Sequence, residues 1–130
     1  MPASPDLYVL DASAVLAVLF QEAGSEFVED ILPQAAISAA NLTEVITKLV
    51  QRGETPANAR ATLEHITTRV IPVTTAIAQA AAEIAPKHPR ISLGDRLCLA
   101  TAKHESAIAV TGDKLWSELG LDIPIRQIRR

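Results

Sequence analysis

At 130 residues, with 48% apolar and 21% charged residues, the chain has the length of one domain and a composition that excludes a disordered tail. A net charge of −3 argues against a passive phosphate-coating nucleic-acid binder, and 3% aromatic content argues against a stacking platform for single strands. The one cysteine, Cys98, excludes a disulfide framework and a paired-thiolate zinc site. A reducing cytoplasm is therefore the expected compartment. No run approaches the roughly 18 apolar residues of a membrane span, and Met1 to Asp6 lacks the basic start of a secretory signal.

In chain order, Leu7 to Leu10 is a short apolar run ending at Asp11, which suits a strand covered on both faces. Ala12 to Phe20 reads as a buried helix broken near Gly24. Ser25 to Leu32 reads as a second helix, stopped by Pro33, with Phe27, Val28, Ile31 and Leu32 as its apolar side. Ala36 to Ser38 is a strand, and a helix runs from Leu42 to Arg52. Thr55-Pro56 then opens a helix to about Thr67, a cap residue with proline at the first helical position. Val70 to Val73 is a third strand, and Pro72 favours a place near an edge or strand end. Thr75 to Ala85 is an alanine-rich helix, residues 87–90 a loop, and Gly94 to Glu105 a further helix with Leu97, Cys98, Ala100 and Thr101 facing inward. Ala107 to Thr111 is a fourth strand, Lys114 to Leu119 a short helix, and Ile125 to Ile128 a fifth strand. Strands alternating with helices give an α/β fold with a mostly parallel sheet, over residues 1–130 as a single domain.

Four acids fall near strand-to-helix transitions: Asp11, Glu44, Asp95 and Asp113. In an open parallel sheet the carboxyl ends of the strands line one edge, where ligands bind. Each acid also has an ordinary local role. Asp11 and Asp113 suit helix N-caps, and Asn41-x-x-Glu44 and Ser92-x-x-Asp95 have capping-box spacing. Capping does not require that four acids meet at one edge. Carboxylates gathered there repel, and a hard divalent cation such as Mg²⁺ or Mn²⁺ relieves the repulsion through oxygen ligands. His65, His88 and His104 are not spaced as a metal pair, which disfavours zinc. Ser13 and Thr111 flank Asp11 and Asp113. Their hydroxyls are expected either to orient a carboxylate, water or phosphate, or to bond the local backbone.

Together, L-D-A-S-A-V near the start, N-L-T-E-V around Glu44, L-G-D-R-L-C-L-A-T-A at 93–102 and V-T-G-D-K-L-W at 110–116 resemble the PIN domain family. The likeness is greatest to the small toxins of bacterial toxin–antitoxin pairs and spans essentially the whole chain. The resemblance implies a five-stranded parallel sheet flanked by helices and a Mg²⁺- or Mn²⁺-dependent endoribonuclease. It further implies a homodimer, neutralised by a cognate antitoxin whose tail reaches the active site. Carried over by motif, the catalytic and metal-binding acids are Asp11, Glu44, Asp95 and Asp113, with Ser13 and Thr111 as polar neighbours. Asp11 and Asp95 are expected innermost. Lys48, Arg52, Arg96 and Lys114 are the candidates for substrate phosphates; for Lys48 the ordinary alternative is an ion pair with Glu44 one turn away. Competing expectations are a partner-binding module without catalysis, and a nuclease acting on DNA. A phosphoacceptor receiver or a phosphatase of the haloacid dehalogenase type would need a second acid beside Asp11, where Ala12 and Ser13 stand.

Overall fold

Val9 and Leu10 are both almost fully buried, yet they belong to different cores. A strand sends successive side chains to opposite faces, so an unbroken apolar run marks a sheet covered on both sides. The structure, a computed structural model, describes residues 6–66 and 69–129. Strands β1 (Tyr8–Leu10), β2 (Ala35–Ser38), β3 (Val70–Ile71), β4 (Ile108–Thr111) and β5 (Ile125–Gln127) form one sheet in the order β3-β2-β1-β4-β5. All four pairings are parallel, and in register Leu10 lies between Ile37 and Val110.

Among the described residues six α-helices cover the faces: α1 (Ala12–Leu19), α2 (Ser25–Ile31), α3 (Ala39–Gln51), α4 (Pro56–Glu64), α5 (Thr75–Ile84) and α6 (Leu93–His104). One core joins Leu10, Ile37 and Val110 to Val15 of α1, Val28 of α2, Val45 and Leu49 of α3, and Leu63 of α4. The other joins Val9, Ala36 and Ala109 to Ile77 of α5, to Cys98 and Leu99 of α6, and to Trp116. The expected α/β class and five-stranded sheet are therefore observed, with every pair parallel.

Several boundaries differ from the sequence reading. The third helix starts at Ala39 rather than Leu42, because the Ser38 hydroxyl caps it by accepting the Ala40 N–H. Asn41 is thus inside the helix and Asn41-x-x-Glu44 is not a capping box, and Glu44 lies in the second turn rather than the first. The third strand ends at Ile71, since Pro72 has no N–H to continue the ladder. It is one of the two edge strands, the kind of position that proline favours. The short helix after Asp113 is a 3₁₀ turn, Lys114–Glu118, and Pro33 sits in another, Leu32–Gln34. The fourth helix ends at Glu64; its expected end at Thr67 lies outside the described residues. No helix among the described residues is long and apolar enough to cross a membrane.

Candidate active site

The chain runs from β1 to β2 and β3 on one side, then crosses to β4 and β5 on the other. The strand order therefore reverses between β1 and β4, and a crevice opens beyond the carboxyl ends of those two strands. Asp11 follows β1 there, and Thr111, Gly112 and Asp113 follow β4.

Asp11 is 3% exposed and caps α1. Its Oδ1 accepts the Ala14 N–H (2.8 Å) and the Ser13 hydroxyl (2.7 Å), and its Oδ2 accepts the Thr111 hydroxyl. Each hydroxyl is itself held by the loop after β4: Ser13 Oγ accepts the Gly112 N–H at 2.8 Å, and Thr111 Oγ1 accepts the Asp113 N–H at 2.9 Å. Both hydroxyls thus orient the Asp11 carboxylate; Thr111 also makes the local backbone bond, whereas Ser13 bonds a backbone N–H distant in sequence. Burial raises the Asp11 carboxyl from its ordinary 3.8 to about 6, against the lowering effect of those three donors, and the Asp95 charge adds to the rise.

Asp95 sits in the first turn of α6, where its N–H donates to the capping Ser92 hydroxyl at 3.2 Å. Its pKa is raised, first by burial and then by the charges of Glu44 and Asp113. Asp95 therefore interacts with each of the other three acids. The Trp116 indole helps its charge but stands outside hydrogen-bond geometry, leaving a buried N–H without a partner. Asp113 is exposed and caps the 3₁₀ turn through the Leu115 N–H (2.9 Å), and its backbone carbonyl accepts the Gln127 amide (2.7 Å). Beneath the cluster, Cys98 is fully buried, and burial and the acids' charges push its thiol well above the ordinary range. It is not a nucleophile.

The donor set is all oxygen, and burial, with like charges adding to it, raises the Asp11 and Asp95 pKa values. That chemistry fits a hard divalent cation. Among the described residues no three His, Cys, Asp or Glu side chains stand together closely enough to hold a metal ion. The acids border an open edge instead.

The candidate cations divide. Lys48 and Lys114 are exposed, and among the described residues Lys48 makes no ion pair with Glu44. Lys48 lines a groove of about 350 Å³ between α1 and α3 that also includes Glu44, Ala12 and Gln51. Arg52 lies 4.0 Å over the Phe20 ring, and Arg96 donates to the Ala81 carbonyl of α5 at 3.4 Å. Arg129 escaped the sequence reading, and Asn41 entered it only as a capping candidate for Glu44. Arg129 lies against Gly112, where a Cβ would stand 3.0 Å from its Cζ, and pairs with Glu22 at 3.6 Å; only the basic character of the chain end signalled it. Asn41, fully buried, donates to Glu44 Oε1 at 2.6 Å, a bond hidden by misplacing the helix start.

The PIN domain family model matches residues 8–121. The chain belongs to the PIN domain family. PIN domains are generally nucleases. No curated protein matches by sequence. Among solved structures, this PIN domain is similar to VapBC2 of Rickettsia felis bound to a promoter DNA fragment (TM-score 0.72, 18% identity, 93% of this chain and 98% of that one). FitAcB of Neisseria gonorrhoeae is also similar (TM-score 0.71, 19% identity, 94% and 98%). So is VapBC-5 of Mycobacterium tuberculosis, a toxin–antitoxin system member (TM-score 0.67, 22% identity, 97% and 100%).

Proposed function

We propose that this PIN domain is a Mg²⁺- or Mn²⁺-dependent endoribonuclease and the toxin of a toxin–antitoxin pair. The observation that carries the reading is the meeting of the four acids where the strand order reverses: Thr111 bonds both Asp11 and the Asp113 N–H, and the Glu44 carboxyl lies against Gly94, next to Asp95 in the chain. Bound there, a divalent cation would supply Lewis acidity toward water and the scissile phosphate. Asp11 and Asp95 would be its inner ligands, while Glu44 and Asp113 would hold a second ion or orient water. Ser13 and Thr111 fix both Asp11 oxygens, so the ligand needs little reorganisation when the cation arrives. Lys48 and Lys114 are free to meet flanking phosphates; Arg52 and Arg96 already have other partners.

The antitoxin reading is supported by solved relatives that are themselves toxin–antitoxin complexes. An antitoxin tail would reach the acids along the groove between α1 and α3. A homodimer is supported by the apolar groove between α3, α4 and β3, lined by Leu42, Ile46 and Leu63, with Val70 43% exposed beside it.

The test incubates partner-free protein with total RNA in Mg²⁺ or Mn²⁺, beside EDTA and an Asp95→Asn control, and sequences the 5′ ends of the products. Discrete metal-dependent cuts leaving 5′-phosphate and 3′-hydroxyl ends, lost in Asp95→Asn, are expected. Cleavage of DNA alone would move the substrate. Absence of cleavage, with equal partner binding by wild type and mutant, would replace the enzyme with a binding module.

A further inference from the structure

Asn41 is wholly buried inside α3, where a buried amide needs partners and asparagine is a weak helix former. Its Nδ2 spends both protons at the seam with α6, one on Glu44 Oε1 (2.6 Å) and one on the Gly94 carbonyl (3.2 Å), while its Oδ1 is buried without a partner. Gly94 closes the other side. A Cβ built there would stand 2.6 to 2.7 Å from the Glu44 carboxyl atoms. Gly94 does not have a positive φ, so the backbone would accept alanine; the position requires glycine only for room. The carboxylate of Glu44, an exposed residue, is thus held by an amide that donates to it and lies against a glycine that makes way for it, next to Asp95 in the chain.

We propose that Asn41 and Gly94 form a clamp that holds the Glu44 carboxylate at the acid cluster, making Asn41 a positioning residue for the cation site. The clamp rests on the metal-dependent reading above. Outer-shell partners of metal ligands typically contribute 10–100-fold in metal affinity. A purely structural Asn41 would affect folding alone.

Two variants separate these roles, with free Mn²⁺ counted by electron paramagnetic resonance and folding followed by Tm. Asn41→Leu removes the donor, and Gly94→Ala crowds the carboxylate while favouring the helix. Gly94→Ala is expected to keep or raise Tm yet bind Mn²⁺ about tenfold more weakly. Asn41→Leu is expected to weaken Mn²⁺ binding similarly, and both effects should vanish in a Glu44→Gln background. Wild-type Mn²⁺ affinity in Gly94→Ala, or losses that persist without Glu44, would overturn the clamp while leaving metal-dependent cleavage intact. Wild type that neither binds Mn²⁺ nor cleaves RNA would overturn the metal reading itself, and the clamp with it. If Asn41→Leu does not fold, Gly94→Ala decides alone.

Discussion

Asp11 must carry a charge in a place that disfavours one, and two hydroxyls make the conflict tolerable. In the apo protein its carboxyl titrates near 6 rather than 3.8, so between those values the folded state holds a proton that the unfolded state has released. Apo stability therefore falls as pH rises through that window, by on the order of 3 kcal/mol in the uncoupled limit. A cation must displace the same proton. Mn²⁺ affinity should rise as pH increases to about 6 and level off above it, while Asp11→Asn binds weakly at every pH; calorimetry across pH 5 to 8 measures both. Thr111→Val keeps the shape but removes a donor to Asp11 and an acceptor from Asp113 N–H. It should cost about 1–3 kcal/mol in denaturant unfolding, since buried partners are left unsatisfied.

At the scale of elements, the sequence makes an acid at a strand end easy to find and an acid inside a helix easy to misplace. Asp11 and Asp113 follow apolar runs whose ends coincide with real strand ends, so their edge position can be read directly. Glu44 is harder because Ser38-Ala39-Ala40 suits a strand end and a helix start equally well. Only the Ser38 hydroxyl bonding Ala40 N–H fixes the start, and with it the face on which Asn41 lies. The partners of Arg52 and Arg96 come from distant elements and leave no local trace. Ser38→Ala should lower stability by about 1 kcal/mol through the lost cap, read by thermal melting. Gly24 has a φ of +93° and no room for a Cβ against the Ile128 carbonyl. Gly24→Ala should therefore destabilise by more than Ser38→Ala in the same assay.

For the molecule as a whole, charge and shape assign separate surfaces to separate tasks. The groove between α3, α4 and β3 is lined by Leu42, Ile46, Leu63 and Val70 with Arg60 and Glu64, and none of the four acids lines it. Val70→Asp should convert the expected dimer to a monomer in sedimentation equilibrium with little change in Tm, because Val70 is exposed in the single chain. The parallel sheet also sends the ends of the described chain in opposite directions. Leu7 enters beside the amino edge, while Ile128 still bonds the Thr111 carbonyl (3.0 Å) and Arg129 lies on Gly112. Histidine introduced at position 129 would stand beside the loop that carries Asp113 and compete for the proposed cation, whereas one at position 7 would lie at the other edge of the sheet. The same proximity makes position 129 a natural anchor for a fluorophore, whose signal would report when the proposed RNA substrate or antitoxin tail reaches the acids.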